Sequence, residues 1–505
     1  MIAHSLLFAR PQDAAGGDRE EPPYFHDLRL DQVVASITRG REDYRLGPLF
    51  HAVLPTADAV AYRHEVVRDL SGSDVAAALT GFSSGIRAVL DRHAHPTHPI
   101  QKDLDFLASA GAYVEVVCRL AGDLRDAAVR SRGLCGLRDY LRAYLESPPF
   151  AALAQETGDL TDALAGLRYS LHVRGGRIRV GRAAGACDYG AELEAVLAPF
   201  DAGPGPDRPF LSAGPRPLTR VDVLVLEAVA ELNAETFERV RMFRGEYAAF
   251  VDETLVAVAR EAQFYLAFQD FANGLAGIGV RFCLPEVSAR SKEMSAREAA
   301  DLALADKIAR DGGVLVRNDF ALRGPERIMV VSGPNQGGKT TFARMIGQVH
   351  HLAAIGLPVP CGAAKVFLFD CLFTHFAEEE RASGGHGKLE AELLRLHDLL
   401  ERATPRSLVI LNEMLSSTSA QDAAAIAGRV MERLVDLDLV CVCVTFLDEL
   451  SRSGDTTVSV VGAVEDGAVR TFRFRRAPAD GAAYAASIAA RYGLTYPQLR
   501  ERIRP

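Results

Sequence analysis

Residues 327 to 346 read RIMVVSGPNQGGKTTFARMI, the stretch that most narrows what this chain can fold into. The apolar run Ile328-Met329-Val330-Val331 reads as a buried strand, and TFARMI continues as a helix. Between them Gly333, Pro334, Asn335, Gln336, Gly337, Gly338, Lys339 and Thr340 fit the G-x-x-x-x-G-K-[ST] pattern of a phosphate-binding loop. Its glycines let the backbone turn with N–H groups pointing inward, so loop and helix N-terminus form an anion nest. Lys339 then reaches the terminal phosphates of a nucleoside triphosphate, and the Thr340 hydroxyl is offered to Mg²⁺. A strand before and a helix after separate this stretch from an ordinary glycine-rich turn, and ATP with Mg²⁺ is the expected ligand.

A chain of 505 residues is too long for one core, and two to four domains are expected. The formal charge of −9 provides no general attraction to nucleic acid but leaves a local basic surface possible. No apolar run has the length of a membrane span, and MIAHSLLFARPQD lacks the basic start and long apolar region of a secretory signal, so a cytoplasmic protein without membrane association is expected. The eight cysteines are irregularly spaced without a C-x-x-C pair, which argues against a disulfide framework. Cys441 and Cys443 alternate in VCVCVT and are read as buried thiols on one strand face.

Residues 1–28 carry Pro, Gly and mixed charge without periodicity, as in a flexible arm. Helical spacing runs from about 30 to 95, then through 102–147, with Gly133 and Gly136 as a candidate break. The loop 91–99 holds His93, His95 and His98, read as solvated histidines rather than a metal site. YSLHVRGGRIRV, 169–180, reads as a hairpin turning at Gly175-Gly176, with Arg174, Arg177 and Arg179 read first as a solvated face and alternatively as phosphate contacts. The Gly- and Pro-rich segment 184–218 is a connection, and a second long helical tract covers 221–275. Two such tracts suit a rod-like bundle able to transmit a displacement. In the last third, strand-like runs at 327–332, 366–369, 407–411 and 440–445 alternate with helices near 340–355, 389–403 and 420–436. That alternation is the pattern of an α/β sheet. A hairpin turning at Glu465-Asp466-Gly467 and a short helix pair around YAASIAARYGL close the chain.

The strand 407–411 ends in Asn412-Glu413. At that position one residue holds the Mg²⁺ shell and the next polarises the attacking water. Glu413 suits the second task. Asn412 is a weaker metal partner because its amide oxygen carries no net charge.

VVSGPNQGGKTTFARMIG, AAIGLPVPCGAAKVFLFDCLFTHF, SLVILNEMLSSTSAQD and AAYAASIAARYGL together resemble the ATPase domain of the MutS family of DNA mismatch repair proteins, over about Val316 to Arg502. The helical tracts at 30–275 resemble, more weakly, that family's core and lever. The resemblance implies a multidomain α plus α/β protein: an arm at 1–28, an all-helical core and lever at 29–290, and a P-loop ATPase domain of the MutS/ABC type at 291–505. It implies composite ATPase sites in a homodimer. Asn335, Gly338, Lys339, Thr340 and Thr341 match the family's phosphate loop, and Glu413 its catalytic carboxylate. Asn412 replaces the usual Asp. Gly385-His386-Gly387-Lys388-Leu389 stands where a Ser-Thr-Phe signature is usual, Phe446 where a histidine is usual, and Leu315 where an aromatic covers the adenine. The core-like pattern begins near residue 30, and 150–218 is short. Mismatch-reading and connector domains are therefore expected to be lacking, the clamp to be a hairpin-sized remnant, and a carboxy-terminal nuclease domain to be missing.

The expected function is a DNA-associated, dimeric MutS-like ATPase with slow hydrolysis and little mismatch selectivity. Structured or non-specific DNA and other repair proteins are its candidate partners. The alternative is a nucleotide-gated protein interaction switch without DNA binding.

Overall fold

The computed structural model describes residues 3–10, 20–91, 98–183, 219–376, 387–415, 417–452, 454–465, 469–479 and 492–502. His93, His95, the connection 184–218, Gly385-His386, the tip Asp466-Gly467 and residues 480–491 of the closing helical stretch lie outside them. Two compact units form, one of Ala77–Ala127 and Arg138–Ala259, the other of Met1–Ala76, Ala128–Leu137 and Arg260–Pro505.

The first unit is helical. Along the helix Pro99–Asp126, buried Phe106, Ala110, Tyr113, Val117, Leu120 and Leu124 recur three and four residues apart, so one stripe faces inward. Phe106 meets Phe243 and Phe250 at ring distances of 6.0 and 5.3 Å, edge to face. The Tyr113 hydroxyl bonds that of Tyr144 at 2.9 Å and accepts from the Asp252 amide at 3.1 Å. Strands β1 (Tyr169–Arg174) and β2 (Arg177–Arg182) pair antiparallel. Their turn, Gly175-Gly176, has φ of 55° and 75°, as a two-residue hairpin requires.

The second unit contains β3 (Glu286–Ser288), β4 (Met294–Ala299), β5 (Asn318–Leu322), β6 (Ile328–Ser332), β7 (Ala363–Phe367), β8 (Leu372–Phe376), β9 (Leu408–Asn412), β10 (Val440–Val444), β11 (Thr457–Glu465) and β12 (Val469–Arg476). One sheet has the order β12-β11-β6-β10-β9-β8, parallel except for the antiparallel edge β12; another has the order β3-β7-β4-β5. Every residue of β6, β9 and β10 is buried, which explains their unbroken apolar sequences. Ile328, Val330, Val409, Leu411, Cys441 and Cys443 face the helices Lys388–Arg402 and Ala420–Asp436 through Leu396, Ala427 and Met431. Burial pushes the Cys443 thiol up to about 12, so both thiols on this strand are packing groups. No helix among the described residues is long and apolar enough to cross a membrane.

Three expectations change. The amino-terminal residues are not a loose arm throughout: Ser5, Leu6, Leu7, Phe25 and Leu28 are buried. Buried Glu261 accepts from Ser5 Oγ at 2.8 Å and the Leu6 amide at 2.6 Å, while buried Arg63 donates to the carbonyls of Leu7 and Ile355 at 3.0 and 2.7 Å. These partners are remote in sequence, so no local pattern announces the packing. The run 366–369 does not join the other strand-like runs in one sheet: its first two residues end β7 in the four-stranded sheet, and β8 is the neighbour of β9. Gly133 and Gly136 lie inside the helix Arg132–Leu145, and the break precedes it at 127–131. A Cβ on Gly133 would fall 2.7 Å from Val66, so that glycine serves close packing.

His351 tests the burial. Its ring nitrogens face Phe50 O at 3.0 Å and the Tyr24 hydroxyl at 3.2 Å, and burial lowers its pKa to about 3. A folded-state pKa below the unfolded value gives stability that is complete above about pH 6.5 and lost as pH falls toward the folded pKa. One such imidazole contributes a slope of about 1.4 kcal/mol per pH unit across that window. His351→Gln is expected to be less stable at pH 7 but to show an acid limb shallower by about that slope in urea titrations between pH 6 and 4. An unchanged limb would show that His351 does not carry this dependence.

Candidate functional site

Because β6, β10 and β9 run parallel side by side, the chain leaves all three at one edge of the sheet. It leaves β6 as Gly333 to Gly338, β9 through Asn412 and Glu413, and β10 as Thr445 and Phe446. Gly333 has φ 140°, and a Cβ there would lie 3.1 Å from the backbone N of Gly462 on β11. Gly338 has φ 90°, caps the helix Lys339–Ala354, and would meet Phe472 at 3.3 Å. Both positions need glycine for backbone conformation and close approach together.

Lys339 opens that helix and is only 5% exposed. Its Nζ donates to the carbonyls of Gly333 and Pro334 at 3.2 and 3.3 Å, lies 4.0 Å from Glu413 Oε1, and stands 4.0 Å from the centre of the Phe446 ring. Burial pulls the ammonium pKa below its ordinary value, and the Glu413 carboxylate opposes that shift. The ring face and carbonyl oxygens also suit a cation. Thr340 Oγ1 donates to Asn412 Oδ1 at 3.0 Å, joining the start of the helix to the end of β9. Glu413 sits in the left-handed region at φ 57°, its amide bonded to Val444 O at 2.9 Å. That backbone costs roughly 1–3 kcal/mol for a non-glycine residue, strain of the kind that collects at working sites.

A cavity of about 500 Å³ opens here, lined by Gln336, Gly338, Lys339, Thr340, Thr341 and Glu413. Of the other residues singled out from sequence, Gly333, Pro334, Asn335 and Gly337 build the turn without lining the cavity, and Asn412 lies behind Thr340. Leu315 does not line it. Its neighbours Val314 and Val316 do. Gly387, exposed at the start of the helix Lys388–Arg402, is also outside the lining.

Among the lining residues that escaped the sequence reading are Asp301, Asn318 and Phe472. Asp301 caps the helix Leu302–Asp311 through the Leu304 amide at 2.7 Å and is ion-paired with buried Arg344 at 2.6 Å. Asn318 bonds Phe472 O at 3.0 Å and accepts from the Phe474 amide at 2.8 Å, tying β5 to β12. The two phenylalanines in the basic strand RTFRFRR were the one available signal, since Phe474 stacks on Phe342 at 4.5 Å.

For the divalent cation, Thr340 and Asn412 offer hard oxygen atoms, with Glu413 beside them, a donor set that fits Mg²⁺ shared with phosphates and water. No group of three or more His, Cys, Asp or Glu side chains suited to a metal occurs among the described residues, and His98 instead pairs with Glu227 at 3.1 Å. On the hairpin of the helical unit, His172, Arg174, Arg177 and Arg179 share one exposed face, with Arg174 opposite Arg177 and His172 opposite Arg179.

Residues 329–476 match the family model for MutS domain V. The chain is 33% identical over 153 residues to an endonuclease MutS2 of Gemmatimonas aurantiaca, covering 30% of this chain and 19% of that protein. It is 28% identical over 265 residues to a DNA mismatch repair protein MutS of Shouchella clausii, covering 50% and 29% of the two chains. With a DNA mismatch repair protein MutS 1 of Halobacterium salinarum it shares 29% identity over 288 residues, covering 55% and 31%. The matched region thus spans less than a third of the length of each of these relatives. Together the domain V match and these relatives show that residues 329–476 are similar to MutS domain V and that proteins of the MutS family share this part of the chain.

Proposed function

We propose that the chain is an ATP-binding protein with a P-loop ATPase domain at 291–505 and a helical core and lever at 29–290. In this reading it is a cytoplasmic, DNA-associated dimer that hydrolyses ATP slowly. The observation that carries the reading is the buried Lys339 ammonium beneath a cavity whose wall is a glycine-rich turn and a helix N-terminus, with Glu413 beside it. The N-terminal amides of the helix Lys339–Ala354 and the lysine charge attract phosphate. Val314, Val316 and Phe472 supply the apolar wall for a base. Thr340 and Asn412 would hold Mg²⁺, which neutralises phosphate charge when bound. Glu413 is placed to orient and polarise the attacking water once phosphate takes over Lys339.

Two features support slow turnover. Asn412 brings no charge to the metal position, and Phe446 offers the lysine an aromatic face where a polar side chain would assist the reacting phosphate. Lys339→Ala is expected to weaken Mg·ATP binding by tenfold or more, about 1.4 kcal/mol per decade, in calorimetry. Glu413→Gln should keep binding but abolish steady-state phosphate release, and Asn412→Asp should raise it. Equal ATP affinity in K339A would refute the binding site, and unchanged turnover in E413Q would remove Glu413 from the chemistry.

A composite site would bury nucleotide between two subunits, so ATP should favour the dimer by linkage. The expected sedimentation result is a shift from smaller species to dimer on adding saturating Mg·ATP. A monomer at micromolar concentration under those conditions would overturn the dimer.

The facing like charges of Arg174 and Arg177 repel each other and are relieved by phosphate, which supports contact with a DNA backbone. Binding to duplex is expected to weaken steeply with salt and to differ little with a central mismatch. A preference above tenfold for the mismatch would show a base-reading element. No binding at low salt would favour the nucleotide-gated protein switch.

A further inference from the structure

We propose that Cys283 and Cys361 are a redox-active dithiol that closes to an intramolecular disulfide, a modification site separate from the nucleotide cavity. The two sulfurs lie 3.8 Å apart although the residues are 78 apart in sequence. The backbone holds them there. Cys283 and Val359 exchange amide hydrogen bonds of 3.1 and 2.9 Å, and the Cys361 amide donates to Val359 O at 2.8 Å, curling the chain back toward Cys283. The segment is fixed on its other side by Ala300 N to Pro360 O at 2.9 Å and Gly362 N to Arg297 O at 2.8 Å. An S–S bond of about 2.05 Å is therefore within reach of side-chain rotation, with no remodelling of the strands.

The two thiols are not equivalent. Cys283 is partly exposed, whereas Cys361 is fully buried. The two sulfurs share a hydrogen bond in which either thiol can donate; with Cys361 donating, and with the bond from the Ala364 amide, the Cys283 thiolate is favoured and its pKa lowered against the opposing effect of burial. Exposed Cys118 and Cys371 have thiol pKa values raised by burial of part of the side chain, and neither has a sulfur neighbour among the described residues. Cys283 is thus the attacking sulfur and Cys361 the resolving one.

A hydroperoxide supplies the oxidising equivalents. The Cys283 thiolate attacks the terminal peroxide oxygen; the S–O bond forms, the O–O bond breaks, and the departing alkoxide or hydroxide takes a proton. Cys361 sulfur then attacks Cys283 Sγ; the S–S bond forms, the S–O bond breaks, and the released hydroxide leaves as water with the Cys361 proton. Two thiols lose two electrons in total, and a dithiol reductant returns them. The closed loop holds β3 to β6, the glycine-rich turn and the helix Lys339–Ala354, so the oxidised chain resists unfolding more strongly.

The test treats the reduced full-length chain with equimolar hydrogen peroxide, blocks free thiols, and maps non-reduced peptides by tandem mass spectrometry. The expected product is a Cys283–Cys361 peptide pair two hydrogens lighter than its reduced parts, reversed by dithiothreitol, and formed before Cys118 or Cys371 oxidises. Cys361→Ser should instead accumulate a dimedone-trapped sulfenic acid at Cys283, and Cys283→Ser should leave Cys361 reduced. Oxidised wild type should melt at higher temperature than reduced, with no such shift in C283S. Oxidation of Cys118 or Cys371 ahead of Cys283, or Cys283 linked to other cysteines as often as to Cys361, would overturn the proposal.

Discussion

Everything at the candidate site depends on the complete burial of the parallel strands β6, β9 and β10. A strand with no exposed residue cannot slip in register without driving apolar side chains out of the core. The ends of the three strands are therefore held at one level. Their parallel direction brings the glycine-rich turn, Asn412-Glu413 and Thr445-Phe446 to one edge, where loops meet groups from different parts of the chain.

The same burial creates the electrostatic condition of the site. Lys339 is held in a poorly solvated place by the close-packed turn, and its charge is balanced by carbonyl dipoles, a carboxylate and an aromatic face. A cation in such surroundings interacts more strongly with phosphate than a solvated lysine would, because less water intervenes. The hydrogen bond between Thr340 and Asn412 keeps two oxygen donors together at the junction of helix and sheet. Around this edge the Asp301–Arg344 pair and the Asn318 bridge fix the walls, so the cavity is formed by packed elements as well as by its loop.

Phe446 marks where this chain departs from the pattern of the MutS family that its residues 329–476 resemble. Its ring meets the lysine ammonium directly, an interaction that stabilises the charge but offers no hydrogen bond to a reacting phosphate. The neutral Asn412 has a similar effect on the metal side. Both residues change what the groups of the site can do: an aromatic face stands at the lysine ammonium, and a neutral amide accepts from the Thr340 hydroxyl.

Local sequence determined a good deal. The apolar runs of β6 and β10 state their burial directly, the glycines at 333 and 338 state the turn, and Gly175-Gly176 states the hairpin, because each reflects a backbone or burial requirement that acts over a few residues. The order Lys339-Thr340 and the pair Asn412-Glu413 were legible for the same reason. Tertiary structure alone decided the rest. It placed Val314 and Val316 rather than Leu315 on the cavity, moved residues 366–367 into the second sheet, and packed Ser5 to Leu7 against Glu261 and Arg63. It also brought Cys283 to Cys361 and Phe446 over Lys339. Such pairings join residues tens to hundreds of positions apart, and their energy comes from burial and hydrogen bonding that exist only after the sheets have assembled, so no periodicity in the sequence records them.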